Sequence, residues 1–286
     1  LAETLRFMEE NRNRPMFIFF STNLPHGPVD IPPEENTYAG SPAIRQAYGN
    51  ASGTNRECSG AAEEYASMVD KLDRQVGAIV DQVRKLGLDK RTIIIFSSDN
   101  GHELYYRTDK GRGRGPDCHG GVLDGTGELL DVFRGSRGRV GPNNAMANLA
   151  GLKWTSHEGG IRVPLIISWP GTLPHGKVCH SLVANYDHMA SFADLAGIRM
   201  PEGKDAVSYM DILSGNSSRQ RDYVVVDHTV ITGDGWKLTQ KQNKPFLFHI
   251  GRDPEERNNL AGTRKDQLEK LRAIYRKEVG SPRKDR

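Results

Sequence analysis

Apolar residues along the chain occur in two patterns, short continuous runs and longer stretches with helical spacing. Continuous apolar runs occupy residues 16–21, 92–97 and 163–169, which is typical of strands buried on both faces of a sheet. Between the first two runs, apolar residues recur every three or four positions from 65 to 86 and stop at Gly87, which predicts a long amphipathic helix. A strand, a crossover helix and a second strand indicate an α/β domain with a largely parallel central sheet flanked by helices.

The pattern changes beyond about residue 201. Short strand candidates precede a charged helix, which predicts a small antiparallel sheet closed by a terminal helix. We therefore predict an α/β domain over residues 1–200 and a small carboxy-terminal α+β subdomain over residues 201–286. The strand candidates are 223–227, 236–240 and 246–250, and the helix is 264–279.

Two further helices and one long loop complete the predicted organisation. Residues 3–12 have the spacing of an amphipathic helix that ends before Pro15, and residues 186–195 predict a helix capped by Gly197. Residues 105–151 are rich in glycine and weakly periodic, and loops of this length are usually functional or mobile. We expect this loop to lie over the site.

Composition excludes several classes of protein. The 39 basic and 36 acidic side chains give a net charge of only +3, which argues against a dedicated nucleic-acid binder, and the basic run at 110–114 is typical of a solvated loop. The three cysteines are widely spaced and form no CxxC pair, so neither a disulfide framework nor a zinc knuckle is indicated. No apolar run approaches the ~20 residues that a membrane helix needs.

Three segments carry candidate chemistry. Asp99 and Asn100 directly follow the second apolar run, where ligands bind in open α/β sheets, and their oxygens suit Ca²⁺ or Mg²⁺. Lys153 precedes a Glu-Gly-Gly turn and the third run, and His26 follows the first run in a loop stiffened by prolines. Each has a plainer interpretation, since Asp-Asn-Gly is a common turn, and a lone lysine or histidine usually lies in solvent.

Four sequence blocks carry a resemblance that goes beyond the single motifs. They are, in order, FIFFSTNLPHGP, TIIIFSSDNGHE, LKWTSHEGGIRVPLIISWPG and FLFHIGRDPEERNNLAG. These blocks resemble the sulfatase family of the alkaline phosphatase superfamily, and the helix that leads into the second block is also similar to the family's helix. Together these segments cover nearly the whole chain, and their joint occurrence is far more specific than any one motif.

The resemblance implies calcium-assisted hydrolysis of a sulfate monoester, in which a formylglycine hydrate attacks the ester. It implies that Asp99 and Asn100 are metal ligands. It also implies catalytic roles for His26 and Lys153. His26 would contact the sulfate group or protonate the leaving oxygen, and Lys153 would bind sulfate and leaving-group oxygens. His102 is expected to contact substrate. The segments at 158–160 and 251–262 are expected to shape turns.

The sequence also departs from the family pattern. The Cys/Ser-x-Pro-x-Arg motif that yields formylglycine is absent, and the three cysteines are followed by SG, HG and HS. The family's paired aspartates and its Lys and His block are missing as well. We expect all of these upstream of Leu1, so residues 1–200 would be a partial catalytic domain and the chain alone would be inactive.

Two alternatives stay open at this point. A phosphate or phosphonate ester hydrolase of the same superfamily would use a similar cation, lysine and histidine. A sulfatase-like binding protein without catalysis would keep the sheet and lose the chemistry. The sulfated substrate, whether a glycan or a small molecule, and the oligomeric state are left open by the sequence, and export is implied by the resemblance only.

Overall fold

The structure is a computed structural model. The residues that it describes fall into two compact units, one formed by residues 1–94 and the other by residues 95–101 together with residues from 149 onwards. The predicted boundary between residues 200 and 201 falls within the second unit and stays a prediction. The described residues are 1–26, 31–44, 56–101, 149–150, 153, 155–215, 221–241 and 244–280.

Two helices build the first unit. Helix α1 (Ala2–Glu10) and helix α2 (Arg56–Lys85) confirm the two predicted helices, and α2 ends just before Gly87, whose φ of 66° suits a glycine after a helix end. Their apolar faces meet in a small core of Met8, Val83 and Leu88. The helical spacing in the sequence therefore reports the buried faces correctly.

The predicted strand at residues 16–21 is wrong for this structure. The segment has no strand structure, and its apolar side chains lie at the surface, with Phe17 73% and Phe19 83% exposed. A continuous apolar run predicts a buried strand only if neighbouring strands pair with its edges and cover its faces. No described residue forms a strand pair with this segment.

The second unit begins with a two-stranded sheet. Strands β1 (Ile94–Ser97) and β2 (Leu165–Ser168) pair with each other and confirm the strands predicted at 92–97 and 163–169. Their burial is lower than predicted, since β1 is half-buried and Ile166 of β2 is 62% exposed. The described strands form this pair and one antiparallel sheet, so the predicted largely parallel central sheet is not seen among them.

Four antiparallel strands in sequential order form the larger sheet. Each strand pairs with the next along the chain, as the predicted small antiparallel sheet requires. The sequence analysis missed the second of them, which follows a two-residue turn that contains Asp227 at a φ of 51°. The strands are β3 (Tyr223–Val226), β4 (Thr229–Thr232), β5 (Trp236–Lys241) and β6 (Lys244–His249).

One helix covers a face of this sheet. Helix α6 (Lys265–Glu278) carries Leu268, Leu271 and Tyr275 at spacings of three and four, and these side chains pack on Val230, Leu238 and Leu247. The three sheet residues are fully buried. Burying each leucine contributes ~1.5–3 kcal/mol to the free energy of unfolding, so this packing stabilises the sheet that also carries the residues on its other face.

Short helices connect the two sheets. Helix α3 (Glu158–Ile161) is a single turn, α4 (Asp187–Leu195) confirms the helix predicted at 186–195, and α5 (Met210–Ser214) follows. In the part of the chain that the structure describes, no helix has the length and apolar content needed to cross a membrane. The predicted loop at 105–151 lies almost entirely outside the described residues.

Candidate functional site

The carboxyl end of β1 is held by hydrogen bonds from three directions. Ser97 Oγ donates to the Pro164 carbonyl at 2.9 Å, which ties the strand to the start of β2. Ser98 Oγ donates to the Asn100 carbonyl at 3.0 Å, and the side-chain amide of Asn185 donates to the Ser98 carbonyl at 3.0 Å. These bonds fix the backbone on which Asp99 is carried.

Asn185 is a contact that the sequence analysis missed. It lies just before α4, where the Asp187 carboxylate is buried and accepts hydrogen bonds from the Ala184 and Val207 backbone N–H groups at 2.9 Å each. The Arg221 guanidinium also pairs with Asp187. Because both chain directions around Asn185 are anchored, its amide is fixed where it meets the end of β1.

Gly101 brings the end of β1 against the Glu-Gly-Gly turn. Its N–H donates to the Gly160 carbonyl at 2.8 Å. A Cβ at position 101 would lie 2.0 Å from the Gly159 carbonyl oxygen, far inside any real contact, so only glycine fits here. The strand end and α3 are thus locked backbone to backbone.

Asp99 and Asn100 offer two oxygen ligands beside this lock. The Asp99 side chain is exposed, and the Asn100 amide nitrogen donates to the Gly101 carbonyl at 2.9 Å, which leaves Oδ1 as its ligand atom. A carboxylate and an amide oxygen fit a hard cation such as Ca²⁺ or Mg²⁺, and tight sites gather six to eight oxygens. Within the described ranges, no group of three or more His, Cys, Asp or Glu side chains is placed to hold a metal ion. The pair therefore fits part of a cation site.

Lys153 lies in a half-buried turn five residues before Glu158. The backbone on both sides of it is fixed, because the Gly159 N–H donates to the Ala150 carbonyl at 2.6 Å. The Ala150 N–H in turn donates to the Pro254 carbonyl at 3.4 Å. Ala150, three residues before Lys153, is therefore bonded to both the α3 turn and the loop at Pro254.

A buried cluster of charges lies under the α3 turn, and the sequence analysis did not predict it. Lys237 of β5 is fully buried, and its Nζ lies 3.0 Å from Glu158 Oε1 and 2.9 Å from Glu256 Oε1. Glu256 Oε1 also accepts the Glu158 backbone N–H at 2.7 Å, and His157 Nδ1 donates to Glu256 Oε2 at 2.7 Å. We call these four residues, His157, Glu158, Lys237 and Glu256, the buried charge cluster.

The electrostatics of the cluster favour an ionised Glu256. Burial raises the pKa of its carboxyl, but the hydrogen bond from His157 and the positive charge of Lys237 lower it more, so the pKa lies below its ordinary value of 4.5. A buried carboxylate is tolerated only where such partners satisfy it. Glu256 is therefore ionised at neutral pH.

The loop that carries Glu256 confirms the predicted Asp-Pro turn. The Asp253 carboxylate accepts the backbone N–H groups of Arg257 at 3.0 Å and Asn258 at 2.9 Å. Glu256 has a φ of 49°, unusual for a residue with a side chain. This conformation is maintained because the Glu256 side chain makes three polar contacts, two through Oε1 and one through Oε2, with residues of the cluster.

The two histidine candidates are His26 and His102. His26 belongs to the first unit, where its side chain is exposed and its N–H donates to the Asn23 carbonyl at 2.7 Å, after a cis Leu24–Pro25 bond. His102 lies outside the described residues. The structure therefore brings Asp99 and Asn100 together with the turn that follows Lys153, and the roles of both histidines stay predictions.

Two protein-family models match this chain. The model described as Sulfatase matches residues 1–198, and the model described as N-sulphoglucosamine sulphohydrolase, C-terminal, matches residues 153–284. N-acetylgalactosamine-6-sulfatase of Canis lupus familiaris is 24% identical over 313 residues, which cover 96% of this chain and 50% of that protein.

Solved structures show the same fold at low sequence identity. A structure described under metabolism of multiple glycosaminoglycans by Bacteroides thetaiotaomicron superposes with a TM-score of 0.70 at 21% identity, and covers 96% of this chain and 52% of that one. Ps i-CgsB in complex with k-i-k-neocarrahexaose gives a TM-score of 0.66 at 23% identity, with 96% and 53% covered.

This chain thus spans about half the length of the relatives that it matches. Its α/β fold is the one that these solved structures share. The sulfatase model matches well over half of the chain, and the chain belongs to the sulfatase family.

Proposed function

We propose that this chain is the carboxy-terminal part of a sulfatase that hydrolyses a sulfate monoester, R–O–SO₃⁻ with water giving R–OH and HSO₄⁻. Family membership supports the reaction class. The observation that carries the proposal for this site is the backbone lock between Gly101 and Gly160, which holds the Asp99–Asn100 pair beside the turn that follows Lys153.

Asp99 and Asn100 would hold part of a Ca²⁺ site in this proposal, with Mg²⁺ as the second choice. The bound cation supplies positive charge that neutralises sulfate oxygens. The two side chains contribute one carboxylate and one amide oxygen, and the remaining ligands would come from the part of the protein upstream of Leu1. The formylglycine nucleophile belongs to that upstream part as well.

Lys153 and His26 have separate tasks in this proposal. The Lys153 ammonium binds a sulfate oxygen and the leaving oxygen, where negative charge grows as the S–O bond breaks. His26 donates a proton to the leaving oxygen, or a hydrogen bond to the sulfate group, so that the product leaves as a neutral alcohol. His102 contacts the substrate beyond the sulfate group.

A sulfated glycan is the substrate class that we propose. By its name, one relative is a sulfatase of N-acetylgalactosamine 6-sulfate, and a structural neighbour was solved in complex with k-i-k-neocarrahexaose. We also propose that the central sheet of the longer protein is largely parallel. The exposed Leu165 and Ile166 side chains of β2 support this, since neighbouring strands would cover them.

A substrate panel on the longer protein tests the proposal. The panel contains 4-nitrophenyl sulfate, 4-nitrophenyl phosphate, N-acetylgalactosamine 6-sulfate and a sulfated disaccharide, each with and without Ca²⁺. We expect turnover of the sulfate esters, faster with the sugars, and loss of turnover after chelation. Faster turnover of the phosphate ester would overturn the assignment, and no turnover of any ester would support a binding protein instead.

A further inference from the structure

Lys237 is an unusual residue for its position. It lies on β5, a central strand, where its backbone is registered opposite Ile231 on one side and Phe248 on the other. Its side chain is fully buried and its ammonium bridges the carboxylates of Glu158 and Glu256. The charge therefore stands on a strand that is paired along both edges.

Stability alone does not explain a charge in this place. Buried ion pairs can often be replaced by apolar residues of similar volume at no loss of stability, because two charges are costly to dehydrate. An apolar trio would pack against the sheet equally well. The charges add geometric specificity, because charge-assisted hydrogen bonds in a buried network fix the positions of the groups that they join.

A continuous series of contacts leads from the cluster to the candidate metal ligands. Glu256 Oε1 accepts the N–H of Glu158, the first residue of α3. Two residues later, the Gly160 carbonyl accepts the N–H of Gly101 at 2.8 Å. Gly101 is covalently joined to Asn100, so three consecutive steps connect Glu256 to the Asp99–Asn100 pair, and the Lys237–Glu256 contact adds a fourth.

We propose that Lys237 and Glu256 are positioning residues, which orient the α3 turn and through it the Asp99–Asn100 pair. Neither residue touches substrate in this proposal. The link to catalysis rests on the proposed function, whereas the mechanical link from Lys237 to Gly101 does not. Arg162, whose side chain is mostly exposed and lies 3.7 Å from Glu158 Oε2, is a further charged group at the cluster.

Amide hydrogen exchange at Gly101 measures this link directly. Asn100–Gly101 is the single Asn-Gly pair in the sequence, so carbonyl-¹³C asparagine and ¹⁵N glycine label one amide in the 286-residue chain. Lys237→Met keeps the volume and removes the ammonium that bridges the Glu158 and Glu256 carboxylates. We expect it to raise Gly101 exchange at least ~10-fold, because breaking a buried pair strands its partner. The Leu260 amide, which donates to the Leu247 carbonyl, reports whether the sheet is intact.

A double variant separates charge from volume. Adding Glu158→Gln to Lys237→Met returns the cluster to its original net charge, so we expect Gly101 exchange to come back to within ~3-fold of the original rate. Glu256→Gln is the milder variant, since Lys237 keeps Glu158 as a partner, and we expect at least a ~3-fold rise. This variant decides the question if Lys237→Met loses protection throughout the sheet.

Two results would overturn the proposal. One is Gly101 exchange unchanged in Lys237→Met, or in Glu256→Gln if the former unfolds, while the Leu260 amide stays protected. The other is a double variant that exchanges as fast as Lys237→Met. The amide exchange measurement uses neither a cation nor an ester. If the sulfatase proposal fails, the substrate panel shows it, and the exchange result still tests the link from Lys237 to Gly101. In the longer protein, the same double variant is expected to recover sulfate-ester turnover that Lys237→Met loses.

Discussion

Gly101→Ala tests the backbone lock at the centre of the candidate site. The added Cβ would lie 2.0 Å from the Gly159 carbonyl oxygen and 2.7 Å from the Gly160 Cα, and real Cβ contacts stay beyond 3.0 Å. The two backbones must therefore separate by at least 1.0 Å, the difference between 3.0 and 2.0 Å. Both partners are main chain, so no flexible side chain can swing away.

The cost of this separation has two parts. Overpacking a tight interior costs about 1–3 kcal/mol. Stretching the Gly101 N–H away from the Gly160 carbonyl leaves a buried donor unsatisfied, at about 1–3 kcal/mol. Together they predict a loss of about 2–6 kcal/mol in the free energy of unfolding. For the longer protein, a shift of about 1 Å in the site predicts a ~100-fold loss of turnover.

Urea unfolding of the 286-residue chain, followed by circular dichroism, measures the first quantity. Gly262→Ala is the matched control in the same unit, because a Cβ there meets no atom within 4 Å and we expect a change of no more than ~1 kcal/mol. If Gly101→Ala unfolds at the same urea concentration as the control, the close approach of Gly101 to the α3 turn is not a feature of the folded protein.

Three further predictions concern charge and activity. Because the pKa of Glu256 is lowered in the folded state, its contribution to stability is present above its ordinary pKa of 4.5 and is lost as pH falls through the lower folded value. In urea titrations between about pH 5 and 3, Glu256→Gln should therefore reduce the dependence of the free energy of unfolding on pH. An unchanged pH dependence in the variant would contradict this. In the longer protein, Lys153→Ala should lower aryl sulfate turnover by at least ~100-fold, whereas Lys270→Ala on the exposed face of α6 should not, and equal effects would remove Lys153 from the site. The 286-residue chain alone should hydrolyse no aryl sulfate, and turnover above a heat-denatured sample would refute this.

The sequence predicted those helices and strands whose buried faces follow from the spacing of apolar residues within the element. Helices α1, α2 and α4 and three strands of the antiparallel sheet were predicted because their apolar spacing matches the faces that they bury. Strand β4 was missed because it follows a turn with Asp227-His228 in place of a glycine-containing pair. Residues 16–21 were predicted wrongly because a strand needs partners, which the run itself does not reveal.

Long-range contacts explain what the sequence could not provide about the site. Asp99, Asn100 and Lys153 stand out by residue type and by their position after or before strands. The buried charge cluster does not, because Lys237 is 79 residues from Glu158 and Glu256 is 98 residues from it. A lysine inside a strand pattern was the one available signal, since a buried lysine requires an acidic partner, but the pattern does not say which one.

The exposed apolar run at residues 16–21 has a practical consequence for work with this chain. Six uncharged residues that include Phe17 and Phe19 have the composition of a segment that forms intermolecular β-structure. Arg14 and Pro15 directly precede it and act as gatekeepers, because charge and proline disfavour stacking of identical strands. We therefore expect aggregation of the purified chain to depend on Arg14 and Pro15. Low protein concentration and low ionic strength disfavour aggregation, because electrostatic repulsion between molecules is then less screened.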